Sequence, residues 1–386
     1  MRVVDFSSFY TGPLATTILA DQGADVIKVE AAPAGDLMRL FGHSRGGQAA
    51  TFEGVNRSKR SIGLDLKTDD GREVARRLIA GADVVVENFR PGVAARLGLD
   101  YGSCRAIRAD IICLSISGYG GRGPYGDMPV FDTVIQAHAG IAGAQGADGE
   151  PQFVRQAVVD KLTALFAAQL ISAALYARAA GGSGDHLTLA MYDAALAFLW
   201  PDGMSDFTYV EGEVRGAPAP ASLYGMQRTR DGHIATAAIT DAQFRGLCRA
   251  LGRPEMADDP RLANLARRVE ARELMREIRA TAEQFSTDEL CRRLLAEDVP
   301  HAPVLSREGV LASEQVRFSN VQTYGPDGAR AMMATSPGRF AARDLTPPAL
   351  SPRLGQDGAA VLAELGFEPP RIAELIAIGA VMAPEH

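Results

Sequence analysis

From Met1 to Gly120 the chain alternates short apolar runs with helical patterns, and that alternation limits the possible folds more than any other feature. RVVDF at the start reads as a strand. After Gly12-Pro13 comes a helical run, LATTILADQG, which Gly23 is placed to close. ADVIKVE is a second strand, the helix GREVARRLIAGA leads into ADVVVENF, and DIICLSISGYG follows a further helix. Short apolar strands separated by helices predict a mostly parallel α/β sheet. Ligands of such sheets sit beyond the carboxyl ends of the strands. Here those ends are Asp5-Phe6-Ser7, Val29-Glu30, Glu87-Asn88-Phe89 and Ser117-Gly118-Tyr119.

The pattern changes after residue 200. The length of 386 residues suits two domains. Residues 1–200 form the expected large domain, 201–224 a Gly- and Pro-rich linker, and 225–316 a smaller helix-rich domain opened by the strand HIATAAI. Residues 317–353 read as an extended return linker. LGQDGAAVLAELGF and PPRIAELIAIGAV, within 354–386, are closing helices expected to dock on the large domain.

Several functions are disfavoured. A net charge of −7 argues against a general nucleic-acid partner. Cys104, Cys113, Cys248 and Cys291 form no CxxC pair and read as reduced thiols. The N-terminus shows no signal-peptide core, and the apolar run from Leu162 is interrupted by Gln169 and stops at Arg178. That run reads as too short to span a bilayer, so a cytoplasmic protein with no membrane partner is expected. GYGGRG matches GxGxxG literally, but Pro124 follows it and the next helical run starts near Phe131, with 140–150 expected as a loop. That context does not suit a dinucleotide. There is no GxxxxGK[ST], HExxH or GxSxG, and no His pair at metal-ligand spacing, so no metal is expected. His138 reads as a structural histidine.

Two features remain. NRSKRSIGLDLK concentrates Arg57, Lys59, Arg60 and Lys67 on a turn-like segment of an acidic chain, with Arg39 upstream and Arg90 and Arg96 downstream. A solvated loop is one reading; a seat for a polyphosphate ligand such as coenzyme A is the other. The second feature is Asp160, which stands in AVVDK before a stretch free of charge from Leu162 to Ala177. An acid there either caps a helix or presents a reactive carboxylate.

Taken together, FSSFYTGPLATTILADQGADVIKVE, GDLMR, NRSKRSIGLDLKTDDGREV, ADVVVENFRPGVAARLG, SGYGGRGPY, VVDKLTALFAAQLISAALYAR, GSGDHLTLAMYDAAL and TRDGHIATAAI resemble the class III coenzyme A-transferases, the CaiB/BaiF family. The resemblance runs in order over nearly the whole chain. It implies a Rossmann-like large domain, a smaller α+β domain and an interlocked, ring-like homodimer. It implies Asp160 as nucleophile, and coenzyme A contacts at Arg39, Leu64, Lys67, Asn88, Phe89, Arg96, Gly118 and Tyr119. Tyr10, which stands where some members place a Gln against the active site, is counted with these coenzyme A contacts. The expected partners are an acyl-CoA and a small carboxylic acid, with no bound cofactor. Arg155 and Gln136 are candidates to meet the acceptor acid, although a surface role at a strand edge suits Arg155 better.

There are departures from the family pattern. Ser117 replaces a Lys of the formyl-CoA:oxalate branch, and GAPAPASLYGMQ stands in place of that branch's mobile glycine loop, so oxalate is not the expected acceptor. The 2-methylacyl-CoA racemase branch carries its His in a GHD motif; here the triplet is VFD, and Phe131 moves no protons. CoA transfer through an aspartyl-CoA thioester is therefore the expected activity, with a racemase-like enzyme or a non-catalytic acyl-CoA binder as alternatives. An Asp of reference pKa about 3.9 is expected to be ionised for this attack, with the helix N-terminus helping. The GYGGRG amides are the candidate oxyanion donors.

Overall fold

The computed structural model describes residues 1–146, 150–213, 225–338, 340–342, 345 and 348–383. It divides into two compact units, Met1–Phe198 with Ser319–His386, and Leu199–Phe318.

The first unit is built on six parallel strands: β1 (Arg2–Asp5), β2 (Asp25–Ala31), β3 (Arg60–Leu64), β4 (Val84–Glu87), β5 (Ile112–Ser117) and β6 (His186–Ala190). Their order is β3-β2-β1-β4-β5-β6. Helices α1 (Thr11–Asp21), α2 (Ala50–Asn56), α3 (Asp69–Ala80), α4 (Val93–Leu97) and α5 (Tyr101–Ile107) join the first five strands. The chain order reverses between β1 and β4, so the loops leaving these neighbours diverge and open a crevice at their carboxyl ends.

Both faces of the sheet are covered. Val4, Ile27, Ile62 and Val85 pack against Leu78 and Ile79 of α3 on one side. The same cluster takes Val361, Leu362 and Leu375 from α15 (Gly358–Glu364) and α16 (Pro369–Ala377). On the other side Val3, Val26, Val84 and Leu114 meet α1 and α8 (Val158–Ala179). Alternate strand residues thus face opposite apolar layers, which is why the strands read as unbroken hydrophobic runs.

Helix α8 corrects an expectation. It has 22 residues, and length and composition alone would let it cross a membrane. Its Val159, Leu162, Ala164, Ala167, Ala168 and Ile171 are instead buried among α1 and the sheet. Small residues at these positions allow close helix approach. The 140–150 region is also more ordered than expected, since α7 (Ile141–Gln145) follows α6 (Asp132–His138) there; residues 147–149 lie outside the described part. Helix α9 (Met191–Gly203) starts directly after β6. The return segment holds an antiparallel hairpin, β10 (Val321–Tyr324) with β11 (Ala331–Ala334).

In the second unit β7 (Gly225–Arg228), β8 (His233–Thr236) and β9 (His301–Pro303) form an antiparallel sheet centred on β8. Its helices include α10 (Asp241–Ala250), α11 (Leu265–Glu270), α12 (Arg272–Ala280), α13 (Thr287–Ala296) and α14 (Arg307–Ala312). Thr240 and Gln243 close α10 with a reciprocal capping box. Ile234, Phe244, Leu247, Leu290 and Leu294 make its core. Residues 214–224, which hold most of the GAPAPASLYGMQ segment, lie outside the described part.

Candidate active site

At Asp160 the structure bears on the capping reading. The N-cap of α8 is Ala157, with no side-chain cap, and Asp160 is the third residue of the helix. Its own N–H, an orphan of the first turn, donates to Asp132 Oδ2 over 2.9 Å. The Asp160 side chain turns away from capping and accepts a hydrogen bond on Oδ1 from the Thr11 hydroxyl. Asp132 therefore takes the capping role, and the Asp160 carboxylate is not engaged as a cap.

That carboxylate is only 6% exposed. Burial pushes its pKa up to about 6, the Thr11 hydrogen bond pulls it down, and the nearby Asp132 charge raises it further. The helix N-terminus does not keep it fully ionised, because removing the carboxylate from water outweighs the favourable dipole. Tyr10, half-buried at the N-cap of α1, has its phenol pushed up by burial and then by the charges of Asp160 and Asp132.

Asp132 is itself fixed. Gln136 Nε2 donates to Asp132 Oδ1 at 2.5 Å and to the Val154 and Gln156 carbonyls, while Gln136 Oε1 accepts from the Val154 N–H. Gln136 is fully buried. Its amide is spent on holding the 154–156 segment against α6, so it is not open to an acceptor acid. Arg155 is exposed.

From Thr11 the chain runs back into a cavity of about 340 Å³ beyond β1, β2 and β3. Phe9, two residues from Thr11, lines it, as do Leu64, Lys67 and Phe89 of the sequence-derived set. Val29, Leu66 and Leu97 complete its apolar wall. Lys67 is exposed at the rim. Asn88 belongs to the same region through the backbone, because its amide exchanges two 2.8 Å hydrogen bonds with Ser8. This clamp ties the end of β4 to the end of β1 across the crevice.

The turn between β1 and α1 is held from below by buried charge. Lys28 pairs with Asp36 at 2.9 Å and donates to the Ser7 carbonyl at 3.0 Å. Lys59 pairs with Asp5 at 3.0 Å, both side chains fully buried. Burial alone would raise the Asp5 carboxyl, but Lys59, Lys28 and the Ser7 and Thr16 hydroxyls hold it down at about 2. Phe9 adopts a left-handed φ of 70°, with its N–H on the Asp36 carboxylate and its ring against Phe41 and Phe131. A bulky residue in that conformation is strained, and strain of this kind gathers where a turn must be aimed.

The basic segment proves largely internal. Arg57 pairs with Asp21, Lys59 with Asp5, and Arg60 with Asp25 and Glu364. It is no free loop: residues 60–64 form β3, whose neighbours carry the matching acids. Arg39 is likewise engaged. Its Nε and Nη2 clasp the two Glu30 oxygens at 2.8 and 2.7 Å, Nη1 reaches Gln48, and the guanidinium covers Phe52 at 3.7 Å. Glu30 is buried at the end of β2 and requires that counter-charge. Lys67, with exposed Arg90 and Arg96, retains an uncommitted cation among the described residues.

The remaining sequence candidates lie toward β5. A Cβ on Gly118 would sit 2.3 Å from Val130 Cγ2, so only glycine lets the strand end pass beneath that residue. The Tyr119 hydroxyl meets His138 Nδ1 at 2.7 Å, in a ring cluster with Tyr125 and Tyr192. Among the GYGGRG amides, the Gly120 N–H is already taken by Ser117 Oγ at 3.1 Å. Thr11 and Asp132 carry no sequence signal of their role: they lie 149 and 28 positions from Asp160 and meet it only through folding.

The family model of CoA-transferase family III matches residues 1–358. The chain belongs to that family. Its relatives within the family include a succinate–glutarate CoA-transferase from Agrobacterium fabrum, 36% identical over 95% of this chain and 94% of that protein. An acetyl-CoA:oxalate CoA-transferase from Acetobacter aceti is 37% identical over 68% of each chain. Among solved structures, a CaiB/BaiF family protein from Brucella suis superimposes with a TM-score of 0.82 at 35% identity, covering 95% of this chain and 98% of that one. As a family III CoA-transferase the protein uses CoA thioesters as substrates.

Proposed function

We propose that this enzyme moves coenzyme A from an acyl-CoA to a small carboxylic acid through a thioester on Asp160. The observation that carries this reading is the continuity of one turn: Phe9 lines the cavity and Thr11, two residues on, bonds the buried Asp160 carboxylate. A ligand seated between Leu64, Leu66, Phe89 and Leu97 has Lys67 at its rim for phosphate and the carboxylate at the other end of the same turn. The homodimer belongs to this proposal.

The chemistry proceeds in balanced steps. An Asp160 oxygen adds to the donor thioester carbonyl; the C–S bond breaks, giving a mixed anhydride and CoA thiolate. The thiolate attacks the Asp160 carboxyl carbon and expels the donor acid, leaving an aspartyl-CoA thioester. The acceptor carboxylate attacks that carbon, thiolate leaves, and it then attacks the acceptor carbonyl, regenerating free Asp160. This is covalent catalysis that exchanges one thioester for another. Burial favours it, because the thioester form of Asp160 carries no charge to desolvate. The relatives named above act on succinate, glutarate or oxalate, which favours a short dicarboxylic acid among the substrates; both ends of that range, oxalate included, belong in the screen.

The test is peptide mass spectrometry after incubation with succinyl-CoA and a hydroxylamine quench. A hydroxamate mass on the peptide holding Asp160 supports the reading. CoA binding without that mass across several donors would return the protein to the acyl-CoA-binding alternative. The racemase alternative predicts α-proton exchange into solvent, which Phe131 gives no means to perform.

A further inference from the structure

The second unit contains a cavity of about 580 Å³ lined by Arg228, Arg268, Arg272, Arg276 and Arg279, with Glu283 as its one acid. Arg272, Arg276 and Arg279 recur every three or four residues along α12, a spacing that aligns side chains on one helical face, and Arg268 joins them from α11. Glu270, Glu273 and Glu277 do not line it; they line a neighbouring depression beside Arg261, and Arg272 borders both.

Arg268 is buried and Arg279 half-buried, and both bury donor atoms beyond what their partners explain. Arg268 is 5% exposed; its Nη2 donates to Asp241 Oδ1 at 2.5 Å and its guanidinium lies over Phe244. Its Nε and Nη1 are buried without any acceptor, as is Nε of Arg279. The Arg279 guanidinium packs on Gly225, where a Cβ would approach its Cζ to 3.1 Å. Burial pulls Arg279 below the ordinary arginine range, and no neighbouring acid offsets it. Arg228, Arg272 and Arg276 are exposed and form no ion pair among the described residues. A folded unit does not desolvate guanidinium donors and leave them idle without cost, and planar forks of this kind match carboxylate and phosphate oxygens.

We propose that the second unit carries a binding site for a small polyanion bearing two or more carboxylate or phosphate groups. The Arg268 and Arg279 side chains form its floor, and Arg228, Arg272 and Arg276 close around the ligand from the rim. The site stands on its own geometry and does not depend on the reading of Asp160.

Isothermal titration of the full-length protein with citrate and, separately, with pyrophosphate tests it. Saturable binding is expected for at least one, and the tighter of the two assigns carboxylate or phosphate chemistry. The double variant Arg272→Gln/Arg276→Gln, altered only at exposed positions, should weaken binding by about tenfold or more. Arg279→Met, checked for folding by circular dichroism, should do the same. Lys67→Ala, which alters the cavity of the first unit, should leave the affinity unchanged. No saturable binding of either anion overturns the proposal. So does binding that survives the arginine variants or is lost in Lys67→Ala. Hydroxamate labelling of Asp160 is unaffected by any of these outcomes, so the two readings fail separately.

Discussion

The backbone N–H of Asp160 donates to Asp132 Oδ2 over 2.9 Å, so one carboxylate caps the helix and the other does not. Two acids brought to one helix start would ordinarily compete for the same amides. Here Gln136 holds Asp132 in the capping position, and Thr11 draws the Asp160 side chain the other way.

Replacing Asp160 by Asn should lower kcat by about a thousandfold or more, as removal of a nucleophile does. It should also stabilise the protein. A carboxyl with a folded pKa of about 6 against 3.8 binds more protons folded than unfolded, so its burial costs stability above that window. At neutral pH the cost is on the order of 3 kcal/mol. Thermal melts at pH 7 should show a higher Tm for Asp160→Asn, and the difference should shrink toward pH 4.

The rate of CoA transfer should rise with pH through about 6, because only the ionised Asp160 attacks. Thr11→Val removes the hydrogen bond that lowers this pKa, so the rise should move to higher pH. Asp132→Asn removes the neighbouring charge that raises it, so the rise should move to lower pH. Profiles of kcat/KM for the three proteins check both directions. Shifts of the same sign in the two variants would contradict the arrangement described for Asp160.

Arg39 and Lys67 should respond differently to alanine. Lys67 stands free at the cavity rim, so Lys67→Ala should raise KM for acyl-CoA several-fold at unchanged kcat, and weaken the salt dependence of binding. Arg39→Ala leaves Glu30 buried without its clasp and should cost about 3 kcal/mol of stability. Urea titration beside substrate kinetics distinguishes the two.

Lys59→Met should destabilise the fold by about 3–5 kcal/mol, since it strands Asp5 in a fully buried site. Urea unfolding measures it. The same strand end carries Ser7 and the turn to Phe9, so residual activity should fall along with stability.

Much of the first unit was legible in the chain. The alternation of RVVDF, ADVIKVE, ADVVVENF and DIICLSISGYG with helical runs leads to a parallel sheet because strands covered on both faces must be apolar throughout. The cavity residues Leu64, Lys67 and Phe89 were reachable through family motifs at strand ends. The state of the basic segment was not legible: Arg57, Lys59 and Arg60 are countered by Asp21, Asp5, Asp25 and Glu364, which lie far from them in sequence, whereas Lys67 stays free. Composition reports that cations are present, and only neighbours say whether they are free.

By itself the sequence determined the strand and helix periodicities, the strand ends where a ligand belongs, and an acid at position 160 ahead of an apolar helix. Local pattern suffices for these because each is set by residues a few positions apart. Tertiary structure alone decided that Asp132 caps α8, that Thr11 bonds Asp160, and that burial lifts its pKa to about 6. Proton affinity and hydrogen-bond choice depend on what surrounds a group in space, and those surroundings come from segments that only the folded sheet brings together.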